Sequence, residues 1–411
     1  MAKCFFLHLV GLFFFLSGQA QDADDTLNPS QMQQEISIIR SAWQSLHPGL
    51  YRFISPPEMS RIFNAAQNAA ALPLSKRSYF VLLSQLATAI RCGHTYPNPW
   101  NQPRTVRQAV FSDRVLPFLF KVIEGRLIIT HNLSSDPTIR PGDEITRINC
   151  IPAAAIRDSL LTVSRADGRH GLAKKLDNIS ISPQDIDTTN FAFFDIYFPL
   201  FFRGNFSVEG YQVEIKSYQK IARTVYVPTL SKIQRQQAYI ARFGEIPLHE
   251  KNWSFRFLGT HTALLRLGDF ETWEWKRDYK EYLDSIFQAI RQSPATRLII
   301  DIRGNEGGDD DARNLVLSYI LKKPFGCEDV MRRLYKFLSI PDTLKPYLTT
   351  WNKTFLRPKK ATDFIQTTDG YYETRDTTHA PCIPFEPKPG GFKGQVFLLT
   401  DSRNRDRKSV V

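Results

Sequence analysis

The residues best placed to do chemistry lie in one stretch: Arg297-Leu298-Ile299-Ile300-Asp301-Ile302-Arg303-Gly304-Asn305-Glu306-Gly307-Gly308-Asp309. An apolar run rich in β-branched residues ends there in a polar, glycine-rich turn. Tyr279, Leu283, Ile286, Phe287 and Ile290 recur at helical spacing before it, and Ala312, Leu315, Val316, Tyr319 and Ile320 do so after it. The pattern predicts a helix, a buried strand, a tight turn and a second helix. Strands alternating with helices of this length build a parallel sheet covered by helices. In such sheets ligands meet the carboxyl ends of the strands. The turn from Gly304 to Gly308 is therefore where a reaction is expected.

Other chemistry fits less well. Asp309, Asp310 and Asp311 sit where a helix begins, and carboxylates suit the positive end of a helix dipole. No histidine or second acidic cluster is near them in sequence, so no metal is expected there. The turn lacks both the G-x-G-x-x-G spacing and the Lys-Ser/Thr of a phosphate loop. His94, in Cys92-Gly93-His94-Thr95, reads as a capping or packing residue behind a glycine that stops a helix. Cys92, Cys150, Cys327 and Cys382 are widely spaced with no Cys-x-x-Cys pair. A structural zinc site is not expected. Cys327 with Cys382 is the pair expected if a disulfide forms, and buried free thiols are the alternative. No metal and no cofactor is called for.

Several segments must carry this turn. The chain has 411 residues, 42% hydrophobic and 23% charged, which is an ordinary globular composition with room for two or three cores. Its formal net charge of +12 is scattered rather than gathered on one element, which argues against nucleic acid as a partner. Residues 1–20 read as a secretory signal peptide: Lys3, an apolar run from Phe5 to Leu16, then small residues to Ala20. No stretch is long and apolar enough to anchor the protein stably in a membrane. Residues 22–110 carry helical spacings, broken at His47-Pro48-Gly49. Residues 115–225 read as β-rich: Arg126 to Ile129 is a strand, Pro141-Gly142-Asp143 a turn, and Glu144 to Ile148 and Tyr211 to Ile215 alternate. Residues 226–255 are basic and polar and read as a connection with room for a short helix. Residues 255–411 hold the α/β part, opened by the strand Ala263 to Leu267. A proline-rich and aromatic insertion over 323–390 is expected to lie over the site, and Val396 to Thr400 is expected to be a buried strand.

The run Leu298-Ile299-Ile300-Asp301-Ile302-Arg303-Gly304-Asn305-Glu306-Gly307-Gly308 resembles the core motif of the tail-specific, or C-terminal-processing, serine peptidases (family S41). His47-Pro48-Gly49-Leu50-Tyr51 and Gly93-His94-Thr95 resemble sequences in that family's N-terminal helical part. Ile139 to Ile145 resembles a segment of PDZ domains, which the family commonly carries at this place. Ala263 to Phe270 and Gly394 to Asp401 resemble strands of its catalytic domain. The resemblance implies an α/β architecture with an N-terminal helical segment, a PDZ-like β-rich domain and an incomplete ClpP/crotonase-like catalytic domain. It implies hydrolysis of peptide bonds in unfolded or C-terminal protein segments. Gly307 and Gly308 match the family's glycine pair and would supply oxyanion donors, since a backbone without side chains can be approached closely. His94 does not match the family's usual base.

The family's serine follows the last of these strands, and its lysine base follows a further helical stretch. Here the chain reads Ser402-Arg403-Asn404-Arg405-Asp406-Arg407-Lys408-Ser409-Val410-Val411. Asp406 falls where the serine is expected, Ser402 is early, and Ser409 is late with Lys408 directly beside it. Neither nucleophile nor base is assignable. The expectations are a chain cut short, inactive or only residually active, and an exposed apolar surface. The competing reading is a non-catalytic peptide-binding protein on a peptidase scaffold. An acyl-CoA-handling enzyme of crotonase-like fold fits the leader poorly. The signal segment and the likeness together suggest a secreted or periplasmic, bacterial extracytoplasmic protein whose partner is a peptide or unfolded protein.

Overall fold

The computed structural model describes residues 26–168, 171–188, 190–202, 209–217, 221–246, 252–324, 334–350, 353–374, 386–401 and 404. The expected signal segment, the Cys327–Cys382 pair, and Ser402, Asp406, Lys408 and Ser409 lie outside the described residues.

The N-terminal part opens with β1 (Thr26–Leu27), then α1 (Pro29–Leu46) and α2 (Pro56–Ala69). It continues with β2 (Leu74–Ser75), which pairs with β1, then α3 (Lys76–Thr88) and α4 (Arg104–Val110). Asn28 caps α1 by accepting the Ser30 amide, with proline at the first helical position. Ser55 and Glu58 form a reciprocal capping box on α2. Met32, Ile36, Phe63, Leu86 and Ile90 form the core between these helices. Gly93 was expected to stop α3. Instead Arg91 takes the left-handed conformation (φ 60), three residues past the helix.

The middle part is an antiparallel sheet. After β3 (Arg114–Val115) come β4 (Phe118–Ile123), β5 (Arg126–Asn132), β6 (Glu144–Ile148) and β7 (Ile151–Pro152). Three helices follow, α5 (Ala153–Leu161), α6 (Leu172–Ile179) and α7 (Phe193–Phe201), then β8 (Gly210–Lys216) and β9 (Ala222–Pro228). The order across the sheet is β4-β5-β6-β8-β9, with β7 folded back on β6. Asp143 is buried and accepts the Arg140 amide at 3.0 Å, while Gly142 has φ +96, so Gly-Asp is turn chemistry as expected. The stretch read as a connection holds more order than one short helix. β10 (Leu230–Ser231) pairs with β3, α8 (Lys232–Phe243) follows a capping box, and β11 (Trp253–Phe257) is a strand.

The C-terminal sheet contains β11, β12 (Thr262–Leu267), β13 (Arg297–Asp301) and the last strand. Helix α9 (Tyr279–Arg291) precedes β13 and α10 (Asp310–Ile320) follows it. The three short strands β14 (Leu334–Tyr335), β15 (Phe364–Gln366) and β16 (Tyr372–Thr374) form a separate sheet within the insertion. The last strand, β17 (Gln395–Leu399), pairs parallel with β13, which pairs parallel with β12; β11 is antiparallel at the far edge. Leu283, Ile286, Phe287, Val316 and Tyr319 of the helices pack on Ala263, Leu265, Leu298 and Ile300. The Phe287 and Tyr319 rings stack at 4.0 Å.

One expectation is corrected here. β17 is not buried: all of its residues are exposed, Phe397 to 48% and Leu398 to 58%. Its apolar run fits a pleated surface, but among the described residues it has a neighbour on one edge only. The described residues of the insertion lie in part against the helical leader. Its Phe337, Ile340 and Leu344 pack on Ile38, Ala42 and Leu46 of α1, and Tyr371 donates to the Pro48 carbonyl at 2.9 Å.

Candidate active site

The glycine turn forms where β13 ends. Asp301, the last residue of that strand, is buried, and a buried carboxylate needs a partner. Arg303 supplies two hydrogen bonds, Nε at 2.9 Å and Nη2 at 2.8 Å, and Arg266 of β12 approaches to 3.6 Å. The Arg303 hydrogen bonds hold the Asp301 carboxyl below its ordinary range, against a smaller upward push from burial. The turn is then wound around Asn305, which is 4% exposed. Its Nδ2 donates to the Leu267 carbonyl at 3.0 Å, tying the turn to β12. Its Oδ1 accepts the Gly307 amide at 2.8 Å.

Gly308 is where the turn touches the extension of β12. Phe270 and Gly308 form a parallel bridge, Phe270 N donates to Gly307 O at 2.9 Å, and Asp309 N donates to Phe270 O at 2.6 Å. Gly308 has φ +145, and a Cβ there would overlap the Phe270 backbone. Glycine is thus required by close backbone approach as well as by conformation. Asp309 caps α10, accepting the Asp311 amide at 2.9 Å and the Thr272 hydroxyl at 3.0 Å. The acidic triplet is therefore a helix start, as its sequence suggests, and its charge offsets the helix dipole that an anion would otherwise use.

The turn also meets the end of β17. Ile302 N donates to Leu399 O at 3.0 Å, and Gly304 N donates to Asp401 Oδ1 at 3.0 Å. Asn404 Nδ2 donates to the carbonyls of Ile302 and Asn305, and its Oδ1 accepts the Asp401 amide at 2.7 Å. On another side Lys174 of α6 pairs with Glu306 at 2.8 Å, so the middle part leans on the turn. The structure therefore ties the turn to both neighbours of β13, Ile302 and Gly304 to the end of β17 and Gly307 and Gly308 to Phe270 beyond β12. It also shows the Gly307 N–H held inside the turn by Asn305. A substrate oxygen reaching that donor has to displace the Asn305 oxygen. Asn305 stands in the glycine motif itself and Asp401 lies two residues past the last strand, but no sequence signal ties Phe270, Asn404 or Lys174 to the turn.

The model of peptidase family S41 matches residues 261–405. Among solved structures, a CPAF mutant aligns with a TM-score of 0.53 at 14% identity, covering 91% of this chain and 79% of that one. Mature CPAF complexed with lactacystin gives 0.53 at 14% identity over 90% and 79%, and mature CPAF gives 0.51 at 14% identity over 90% and 78%. At such identity the likeness is one of fold, and it covers the helical leader and the middle sheet as well as the α/β part. No match was found among curated proteins.

Proposed function

Because residues 261–405 match the model of peptidase family S41, we propose that the protein takes unfolded or C-terminal protein segments as substrates and hydrolyses their peptide bonds by serine-type chemistry. The observation that carries this reading is the 3.0 Å bond from Gly304 N to Asp401 Oδ1, which holds the glycine turn against the end of the neighbouring parallel strand. In this reading Gly307 and Gly308 line the place where the scissile carbonyl docks. The neutral Asn305 oxygen holds the Gly307 N–H at rest. An oxyanion is a stronger acceptor than an amide oxygen, so the exchange becomes favourable as negative charge develops. The nucleophile and base stay unassigned; the family carries them beyond the strand matching β17, where only Asn404 is described past Asp401. The antiparallel sheet of residues 118–228 is proposed as a PDZ-like module that captures an extended segment, in a secreted or periplasmic protein.

The capture of Gly307 N–H by Asn305 favours a second reading, a protein that binds such segments without cutting them. Fluorescent unstructured peptides separate the two when anisotropy reports binding and mass spectrometry reports cleavage. Cleavage blocked by a serine-directed phosphonate is the result expected of the peptidase. Binding without cleavage is the result expected of the binder. Absence of both overturns both.

A further inference from the structure

Away from the glycine turn, the loop behind α3 meets the loop behind α5. The Cys92 thiol, a His94 ring nitrogen and an Asp167 carboxylate oxygen lie within 4.8 Å of one another. We propose that these three side chains form a zinc-type divalent metal site.

The donor set is the first argument. Thiolate, imidazole and carboxylate together are a combination zinc accepts readily, whereas magnesium and calcium take oxygen ligands. A thiolate and a carboxylate neutralise a divalent charge, so the inner shell is neutral in a partly buried place. Three protein ligands leave the fourth position to water, the pattern of exchangeable or catalytic zinc rather than closed structural zinc. Binding forms the metal–sulfur bond and releases the Cys92 thiol proton to solvent.

The second argument is how the donors are held. Asp167 Oδ1 accepts the Gly93 amide at 2.7 Å, which orients the carboxylate. A Cβ on Gly93 would lie 2.7 Å from Asp167 Oδ2, so this glycine makes room for the carboxylate against the backbone. That is the task of Gly93, since the left-handed turn after α3 falls on Arg91. The Arg91 carbonyl in turn accepts the Gly168 amide at 3.0 Å, joining the two loops on either side of the cluster. Cys92 is 5% exposed in the core of the helical leader, Asp167 is half-buried and His94 is exposed. A tetrahedral zinc holds such atoms about 3.3–3.7 Å apart. Rotation of the exposed His94 side chain onto the metal would close the remaining distance.

Sequence gave no hint of it, because Asp167 lies 74 residues from Gly93. Cysteine motifs register close spacing, and this site is made by two loops meeting.

The test titrates the reduced, metal-free full chain with Co2+ and then with Zn2+. A stoichiometric complex with thiolate-to-cobalt charge-transfer absorption, bleached by zinc, is expected, together with a higher Tm in zinc. Cys92→Ser is expected to abolish that absorption, and Cys150→Ser, at the exposed free thiol, to retain it. Because Cys92 is a core residue, His94→Gln, at an exposed position outside the core, is the second variant. It should weaken Co2+ binding by at least the roughly tenfold that even outer-shell partners are worth, and Asp167→Asn should do the same. Absence of the thiolate band at a single equivalent overturns the site. So does a band that survives Cys92→Ser, or unchanged affinity in His94→Gln.

Discussion

Gly304 and Gly308 show how one residue type answers two demands within a single turn. Gly304 has φ +83 with nothing within 4 Å of a built Cβ, so only its conformation asks for glycine. Gly304→Ala is expected to cost about 1–2 kcal/mol, the ordinary penalty of a left-handed residue with a side chain. Gly308→Ala adds overlap with the Phe270 backbone, which no rotamer change relieves, and should cost clearly more. Thermal melts of the two variants check the order; equal losses would remove the close-approach argument. Asp301 makes a pH prediction. Its folded pKa is depressed below 3.8, chiefly by hydrogen bonds from Arg303. A carboxylate with a lowered folded pKa contributes stability above its unfolded pKa and loses it as pH falls through the folded value. Asp301→Asn should therefore lose about 1–3 kcal/mol at neutral pH, with the gap to the parent closing in acid below about pH 4. A gap independent of pH would show that the Arg303 pair is not its source.

Between elements, the buried charges decide more than the apolar stripes. Helix α7 is apolar almost throughout, yet it carries Asp195 into the core, where Arg235 of α8 meets it with two hydrogen bonds at 3.0 and 2.5 Å. Both residues are at most 5% exposed. Asp195→Ala strands a buried guanidinium and should cost about 3–5 kcal/mol, whereas Asp195→Leu combined with Arg235→Met should recover most of that loss. Urea midpoints of the single and double variants test this, and a double variant no better than the single would sink it. The pair also shows what sequence can and cannot tell. Periodicity suffices for α9, β13 and α10, because each repeats within its own dozen residues. It does not report who sits opposite. The partnership of Asp195 with Arg235 spans 40 residues, the apolar β17 is exposed rather than covered, and β11 hides in a polar stretch because its outer residues face solvent. The glycine turn was legible as a turn with a helix start at Asp309. Its hydrogen bonds to Asp401, Asn404 and Phe270 were not, since they come from other strands.

Across the whole molecule, the helical leader and the insertion close on a single histidine. His47 ends α1, its amide bonded to Trp43 O at 3.1 Å and its Nε2 within 2.9 Å of Thr95 Oγ1. Its Nδ1 is buried with no hydrogen-bond partner among the described residues. From the insertion, Lys336 stands over the Tyr51 ring at 4.9 Å, and Tyr371 bonds the Pro48 carbonyl next to the histidine. Burial holds the His47 pKa below 6.5, and the Lys336 charge adds to this. The neutral ring is therefore the folded form. Below pH 6.5 the unfolded chain takes up a proton that the folded one resists, so stability is full above that pH and falls on acidification through the folded value. Tm should drop in this window for the parent protein, drop less in Lys336→Gln, where the repulsion is gone, and drop least in His47→Gln, where half-buried His131, its pKa also lowered by burial, keeps a smaller slope. The ring sits where α1, the Thr95 loop and the insertion meet, so its protonation should also loosen the insertion from α1. Limited proteolysis across residues 334–374 should accelerate over the same pH interval and be insensitive to it in His47→Gln. Identical pH slopes in all three proteins would mean that this junction is held by its apolar contacts, Phe337, Ile340 and Leu344 on Ile38, Ala42 and Leu46, with the histidine a bystander.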